Sequence, residues 1–394
     1  MTEQDLNRLA CRLSSLSIFR GILRQPVMTA FLDFLQCNGD ARERMYRFGE
    51  FVYSLAPHDY SFSAYLRRAV CEDENPYIVH KAQKKDIPAV MERNASMELE
   101  LFTRLTELDA HSLCASFTDE GCIPEFANER IDFAAVYAER LANLNRYGYG
   151  IFASACMFRV VDNEIVPVEA PDTISMDKFI GYADERQQVI DNTLALIEGR
   201  PAANVLLCGD AGTGKSSTVK ACANYFYDRG LRLIELRKDQ LFSLSYVMGR
   251  ISGNLLKFII FIDDLSFNKN DDCFSALKAA LEGSASAKAS NAVIYATSNR
   301  RHIVKEAFSD RENSDDVHHS DTVQELMSLS DRFGLTVYFS KPPKALYLEI
   351  VHELAQRHGV KVDSAELDVK AEAFALARGS RSPRAAEQFI LSLV

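Results

Sequence analysis

The chain has 394 residues, a formal net charge of −10 and a pI of about 5.4. The length predicts two or three domains, and the 47% hydrophobic and 25% charged residues are typical of a globular protein with a sizeable core. The acidic balance disfavours broad nucleic-acid binding, although a local basic patch would be compatible with it.

The amino-terminal stretch and the cysteines indicate the compartment. The start, MTEQDLNRLACRLSS, has no apolar signal-peptide core, and no run approaches the roughly 18 apolar residues of a membrane span. The 9 cysteines are scattered, and no two of them form a C-x-x-C pair. This pattern favours reduced thiols over a disulfide framework. We therefore expect a cytoplasmic protein with no membrane segment.

Residues 1–150 predict a mainly helical N-terminal domain. Apolar residues recur at spacings of three and four, as in Leu6, Leu9 and Leu13, and residues 96–113 fit one amphipathic helix. The pattern assigns no chemistry to this region. Binding of a protein partner is one function that it could have. Residues 151–173 include MFRVVDNEIVPVEA, whose alternation predicts a β-hairpin that we interpret as a connector.

Residues 174–340 alternate apolar runs with helical segments. The runs LRLIEL, FIIFI and AVIYA predict buried strands of a parallel sheet that is covered by helices on both faces. A helix is predicted over residues 273–281. The acidic stretch at 305–321 predicts a mobile loop in which His318 and His319 are exposed. Three helical segments in residues 341–394 predict a small lid, so the expected fold class is an α/β sandwich with a helical lid.

Residues 204–220 read NVLLCGDAGTGKSSTVK, which is the pattern G-x-x-x-x-G-K-S of a phosphate-binding loop. Its glycines bring backbone N–H groups close to a phosphate, and the next helix adds its positive end. Lys215 would contact the outer phosphates and Ser216 would ligate Mg²⁺. A glycine-rich turn with an incidental lysine is the alternative. The expected phosphate-binding residues are Gly209, Asp210, Ala211, Gly212, Thr213, Gly214, Lys215, Ser216 and Ser217.

Polar side chains end two later strands. Asp263 and Asp264 follow FIIFI, and Asn299 ends AVIYATSN. Because the carboxyl ends of parallel strands share one edge of the sheet, these groups should face the phosphate loop. Asp263 would hold Mg²⁺, Asp264 would orient or deprotonate the attacking water, and Asn299 would position that water. The alternative is that all three are ordinary turn residues.

Two arginines are candidates for contact with the γ-phosphate. Arg332 lies in SLSDRFG, where a planar cation inserted into a neighbouring subunit would stabilise charge in the transition state. Arg384 starts a helix that Ser382 can cap, so it could reach the γ-phosphate of its own chain from the lid. Solvated surface arginines are the alternative for both.

The ordered set GDAGTGKS, FIIFIDD, ATSN, LSDRF and GSRSPR resembles the AAA+ ATPases. More closely, residues from about 170 to 394 resemble the bacterial predicted AAA+ ATPases of domain of unknown function 815, through AANVLLCGDAGTGKSSTVKA, FIIFIDDLSF and VIYATSNRRH. The resemblance implies an ATP-binding αβα domain with a helical lid. It also implies that Ile180, Gly181 and Tyr182 pack against adenine. Where AAA+ proteins usually have Glu, this chain has Asp264, which is one methylene shorter.

Three hypotheses follow from these patterns. The first is an Mg²⁺-dependent ATPase that acts as a homo-oligomer, with Arg332 in trans, and that remodels a partner. The second is a slow ATP-gated switch that recruits a partner through residues 1–150, which the shorter Asp264 motivates. The third is a DNA-associated loader, which rests on family analogy and which the acidic composition disfavours.

Overall fold

A computed structural model of the chain describes residues 1–116, 123–265, 277, 281, 290–299 and 332–394. The chain divides into two compact units, Met1–Ser154 and Ala155–Val394. Apart from positions 277 and 281, the helix expected over residues 273–281 lies outside the described residues. So does the loop expected over residues 305–321, with His318 and His319. No helix in the described ranges is both long enough and apolar enough to span a bilayer.

The first unit is helical, as expected, and its core is rich in aromatic rings. The rings of Phe31, Phe51 and Phe62 are fully buried, with neighbouring centroids 4.7–5.1 Å apart, and edge or tilted contacts of this kind add to the burial of apolar area. The α-helices described in this unit are α1 (Glu3–Ser14), α2 (Pro26–Leu35), α3 (Ala41–Ser54), α4 (Phe62–Glu72), α5 (Pro76–Ala82), α6 (Ala89–Leu105), α7 (Ala110–Cys114), α8 (Phe133–Ala142), α9 (Leu144–Tyr147) and α10 (Ile151–Ser154).

The single helix expected over residues 96–113 is wrong, because the helix breaks between α6 and α7. The Asp109 side chain accepts a hydrogen bond from the backbone N–H of Ser112 at 2.8 Å and so caps a new helix. The Thr106 hydroxyl accepts a bond from the backbone of Ile131 at 3.0 Å. A cap and a long-range contact therefore end a pattern that looks continuous in sequence.

The second unit is built on a seven-stranded sheet with the order β2-β1-β4-β5-β6-β3-β7. All strand pairs are parallel except β1 with β2, which confirms the predicted α/β fold with a mainly parallel sheet. The strands are β1 (Met157–Val161), β2 (Glu164–Pro167), β3 (Val205–Gly209), β4 (Leu231–Leu236), β5 (Lys257–Ile262), β6 (Ala292–Ser298) and β7 (Leu335–Phe339). The helices described beside them are α11 (Ala183–Ile197), α12 (Lys215–Tyr225) and α13 (Leu244–Ile251).

The predicted hairpin forms and joins this sheet. Its first strand, β1, runs parallel to β4, with Met157 opposite Leu233. Residues 151–173, which we expected to act as a connector, therefore contribute two strands at one edge of the sheet.

The lid consists of the helices α14 (Lys344–His358), α15 (Ser364–Ala377) and α16 (Pro383–Leu391). It has its own core, in which Tyr347, Ala371 and Phe389 are buried. The Tyr347 hydroxyl donates to the Ala371 carbonyl at 3.1 Å and ties α14 to α15. The helical lid that the sequence predicts is thus confirmed.

The strand register brings the predicted motifs together at the carboxyl ends of the parallel strands. Cys208, next to the phosphate loop, lies opposite Ser298, which precedes Asn299. Ile262, which precedes Asp263, lies opposite Ala296 on the same strand as Ser298. The carboxyl ends of β3, β5 and β6 therefore meet, as expected for a ligand site of an open α/β sheet.

Candidate functional site

The phosphate loop joins β3 to α12 and depends on glycine at three positions. Gly209, Gly212 and Gly214 have φ angles of 141°, 77° and 90°, which side-chain-bearing residues rarely adopt. A Cβ atom on Gly209 would overlap the Phe339 carbonyl of β7. The Thr213 hydroxyl donates to the Asp210 carbonyl at 2.9 Å and closes the turn. Tight packing against β7 therefore fixes the loop in front of the α12 N-terminus.

Lys215 is buried, with 5% of its surface exposed, and its Nζ atom lies inside the loop. It donates to the carbonyls of Gly209 and Asp210 at 3.0 and 2.7 Å, and to the Asn299 Oδ1 atom at 3.0 Å. Burial lowers the Lys215 pKa, and the nearby Asp210 carboxylate opposes that shift. The ammonium group thus lies within the phosphate loop, where it can contact the oxygen atoms of a bound phosphate.

The Asp263 carboxylate is oriented by hydrogen bonds to one of its oxygen atoms. Its Oδ1 atom accepts bonds from the hydroxyls of Ser216 and Thr297, both at 2.6 Å, and from the Asp264 N–H at 3.1 Å. Within the described ranges, no group of three or more His, Cys, Asp or Glu side chains is arranged to hold a metal ion. Mg²⁺ binds through hard oxygen ligands and usually keeps waters and substrate phosphates among them. The adjacent oxygens of Ser216 and Asp263 fit that preference.

Asp264 is fixed at both its backbone and its side chain. Its φ angle is 52°, a left-handed conformation that Asp tolerates better than most residues. Its N–H group donates to the Thr297 hydroxyl at 2.9 Å, and its Oδ1 atom accepts from the Asn299 Nδ2 atom at 2.8 Å. Asp264 is therefore oriented beside the phosphate loop by Thr297 of β6 and by Asn299, which follows that strand.

Thr297 is a site residue that the sequence analysis did not identify. Its side chain is 2% exposed, and it both donates to Asp263 and accepts from Asp264. The only sequence signal is its place in the polar end of AVIYATSN, two residues before Asn299. Its role becomes visible only once β5 and β6 are in register.

A cavity of about 610 Å³ opens between the phosphate loop, the segment around Tyr182 and the lid. Ile180 and Tyr182, which the resemblance assigns to adenine, line it together with Ile350 and Leu354 of α14. A Cβ atom on Gly181 would come within 2.9 Å of Leu346 of α14, so glycine permits this close approach. From the phosphate loop and α12, the cavity is lined by Gly212, Thr213, Gly214 and Ser217.

Other lining residues, among them Phe179, Arg186 and Arg357, were not identified from the sequence. The Arg186 guanidinium lies 4.9 Å from the centroid of the Phe179 ring, and it also donates to the Gly181 carbonyl. Burial lowers the Arg186 pKa. Arg357 of α14 donates to the Lys178 carbonyl at 2.5 Å. The Arg186 contacts join the segment before α11 to α11, and the Arg357 contact joins the same segment to the lid.

Arg384 lies directly against the phosphate loop. Its backbone N–H donates to the Gly212 carbonyl at 3.2 Å, and its side chain lines the cavity. Ser382 caps α16 by accepting from the Ala385 N–H at 3.2 Å. The lid thus presents an arginine and a helix N-terminus to the same loop, a combination that favours an anion.

Arg332 is the one predicted site residue that lies elsewhere. It precedes β7, whose first residue, Leu335, pairs with Val205 at the start of β3. The phosphate loop begins after Gly209, which pairs with Phe339 at the other end. These ends are about 13 Å apart at the usual rise of a strand. Arg332 therefore lies near the amino-terminal ends of β3 and β7, whereas its own chain's phosphate loop lies at their carboxyl ends.

Residues 153–394 match a family model described as "Protein of unknown function (DUF815)". The match covers more than half of the chain, so the chain belongs to this family, as its resemblance led us to expect. A search of curated proteins gives no match.

Among solved structures, a mutant of Thermotoga maritima RuvB is 16% identical, with a TM-score of 0.35 over 55% of this chain and 63% of that chain. The T. maritima RuvB Holliday junction branch migration motor is 14% identical, with a TM-score of 0.31 over 56% of this chain and 70% of that chain. A structure described for katanin self-assembly is 17% identical, with a TM-score of 0.33 over 55% of this chain and 69% of that chain. The chain thus spans less than two thirds of the RuvB mutant.

Proposed function

We propose that this member of the DUF815 family binds Mg²⁺-ATP and hydrolyses it to drive conformational change in a partner. The observation that carries the proposal is one hydrogen-bonded network. In it, Lys215 contacts Asn299, Asn299 contacts Asp264, and Ser216 contacts Asp263. Anion-binding, metal-binding and water-activating groups therefore meet at one edge of the sheet, as phosphoryl transfer requires.

The chain's own residues would share the work as follows. Lys215 and the loop N–H groups bind the phosphate chain, and Ser216 and Asp263 hold the metal. Bound Mg²⁺ would supply positive charge that offsets charge on the phosphates. Asp264 accepts the proton of the attacking water, and Asn299 orients that water.

The lid and a second copy of the chain complete the proposed site. Arg384 would detect the γ-phosphate in cis, because its helix already contacts the loop at Gly212. Arg332 cannot serve its own chain's loop from the opposite sheet edge, so we assign it to the site of a neighbouring copy in a homo-oligomer. Lid closure on ATP and release after hydrolysis would then change the contacts between copies.

We assign a separate function to each predicted domain of the chain. Nucleotide binding is assigned to residues 174–340 and lid motion to residues 341–394. Recruitment of a protein partner is assigned to the helical region of residues 1–150. A cytoplasmic location is proposed, and it is supported by the cysteines in the described ranges, all of which are free thiols.

A slow ATP-gated switch is the second candidate, and Asp264 favours it. Its carboxylate is one methylene shorter than that of Glu and is already engaged by Asn299. Both features would slow its approach to a water molecule without weakening nucleotide binding.

Steady-state turnover of Mg²⁺-ATP by the full chain separates the two candidates. We expect sustained turnover near 1 s⁻¹ or faster, within the usual range of enzymes, and a fall of about 100-fold or more in Asp264→Asn with ATP affinity retained. Single-round turnover over many minutes in the wild type would instead support the switch. The Asp264→Asn variant held in ATP is also the bait for an affinity pull-down of partners that hydrolysis releases.

A further inference from the structure

The connection between β7 and the lid is short and stiff. It comprises residues 340–343, in which Pro342 and Pro343 have fixed φ angles and no N–H group. Lys341 precedes a proline, so its own backbone is restricted to extended conformations. The torsions at Ser340 are therefore the least restricted ones through which the lid can turn.

Both polar groups of the peptide bond between Ser340 and Lys341, here called the hinge peptide, are held by side chains. The Tyr182 hydroxyl donates to the Ser340 carbonyl at 2.7 Å. The Lys341 N–H donates to the Asp210 Oδ2 atom at 2.8 Å. Because the carbonyl and N–H of a trans peptide point in opposite directions, the hinge peptide is held from two sides.

The two side chains belong to two different segments, of which Tyr182 and the loop residues Gly212, Thr213 and Gly214 line the cavity. Tyr182 belongs to the segment proposed to meet the base; it is 7% exposed, and its ring centroid lies 5.5 Å from that of Phe339. Asp210 belongs to the phosphate loop, and its own N–H donates to the Phe339 carbonyl at 3.2 Å. The segment of Tyr182 and the phosphate loop are thus each coupled to the last residue of β7 and to the hinge that follows it.

We propose that Tyr182 and Asp210 are positioning residues that transmit nucleotide occupancy to the lid through the hinge peptide. The base end of a nucleoside triphosphate orders the segment that carries Tyr182, and the phosphate end orders the loop that carries Asp210. The lid therefore responds to the whole nucleotide and not to the nucleoside or the phosphate chain alone. This inference rests on the proposed function and concerns the regulation of the same site.

Amide hydrogen exchange at Lys341 tests the coupling in the full chain. The next two residues carry no N–H, so this amide is isolated, and it is itself the donor to Asp210. We expect a non-hydrolysable ATP analogue with Mg²⁺ to slow exchange at Lys341 by about tenfold or more. Saturating adenosine and saturating tripolyphosphate, each alone, should slow it less than threefold. The proposal is overturned if either half alone reproduces the full effect, or if the analogue binds without slowing exchange.

Substitutions identify the two side chains that matter. Tyr182→Phe removes only a hydroxyl and Asp210→Ala removes the acceptor, so each should cut the nucleotide-dependent slowing to less than threefold and weaken affinity by about 2–10-fold. Lys341→Ala is the matched control, because it retains the N–H and removes the side chain, whose long, exposed hydrogen bond to the Gly379 carbonyl of the lid spans 3.3 Å. It should retain the nucleotide-dependent slowing of the wild type. Wild-type behaviour of Tyr182→Phe and Asp210→Ala would contradict the proposal.

A double-mutant cycle separates the hinge contact from a direct phosphate contact by Asp210. Replacing the Lys341 backbone N–H by an ester oxygen removes the donor without adding a proline ring, so Asp210→Ala combined with this ester should bind no more weakly than the weaker single variant. Additive losses would show that Asp210 acts on the phosphate and would overturn the proposal. Absence of nucleotide binding to the wild type would instead overturn the proposed function, since the hinge contacts need no nucleotide to form.

Discussion

The Nζ atom of Lys215 lies 3.0 Å from the Oδ1 atom of Asn299, 84 positions away in the chain. The other amide atom, Nδ2, donates to the Asp264 carboxylate at 2.8 Å. One amide thus joins the cation of the phosphate loop to the proposed water-activating carboxylate. Its two polar atoms have opposite hydrogen-bonding roles, so it satisfies both charges at once.

Substitution of Asn299 by Ala should separate catalysis from binding. Lys215 retains its two carbonyl acceptors, so we expect the Kd for ATP to change less than threefold. The turnover number should fall by about 100-fold, because Asp264 and the attacking water lose an oriented amide. Calorimetry and steady-state turnover measure the two effects. Equal losses in affinity and turnover would assign Asn299 to nucleotide binding instead.

Thr297 should be important for both stability and the metal site. Thr297→Val keeps the side-chain shape but removes the hydroxyl that bonds to Asp263 and Asp264. We expect unfolding of the second unit to require about 1–3 kcal/mol less, as measured by urea denaturation with circular dichroism, and a higher Mg²⁺ requirement for turnover. Thr297→Ser retains the hydroxyl and should restore the Mg²⁺ requirement. A Thr297→Val variant identical to the wild type would contradict the network.

The difference between Thr297 and Lys215 shows what the sequence can predict about the site. Lys215 belongs to a local pattern, because the loop, the preceding strand and the following helix are contiguous, and the chemistry can be inferred from spacing alone. Thr297 contacts Asp263 and Asp264, which follow β5, only because of the register between β5 and β6. That register cannot be inferred from the sequence of either strand alone.

The same limit applies to the fold. The apolar runs predicted β4, β5 and β6 to within a few residues, because continuous burial leaves a strong local signal. The hairpin of β1 and β2 was predicted, but its pairing with β4 was not, because parallel pairing joins segments far apart in the chain. The break between α6 and α7 depends on the Asp109 cap within an otherwise continuous pattern.

Lys215 should make stability depend on pH in the absence of nucleotide. Burial lowers its pKa in the folded state below the ordinary value of 10.5, so the unfolded chain binds this proton more tightly. The charged form therefore costs stability at low pH, and the cost disappears as pH rises through the folded pKa towards 10.5. We expect the wild type to gain Tm relative to Lys215→Met as pH rises through this window. A constant difference in Tm would contradict the shift.

Arg332 should act on a neighbouring copy. Arg332→Ala should bind ATP within threefold of the wild type and turn it over about 1,000-fold more slowly, because the γ-phosphate loses a cation. Added Lys215→Ala subunits cannot bind ATP but still carry Arg332, so mixed oligomers should regain part of the turnover. No rescue, together with a monomeric ATP-bound state in sedimentation experiments, would remove the role in trans.

The central claim is that the phosphate loop, residues 209–217, binds the phosphates of ATP, and calorimetry of Mg²⁺-ATP binding to Lys215→Ala tests it most directly. Lys220→Ala is the matched control, because Lys220 lies on the same helix, α12, and pairs with Glu235 at 3.5 Å outside the loop. We predict that the wild type and Lys220→Ala bind Mg²⁺-ATP alike and that Lys215→Ala gives no measurable binding. Wild-type affinity in Lys215→Ala would contradict the account.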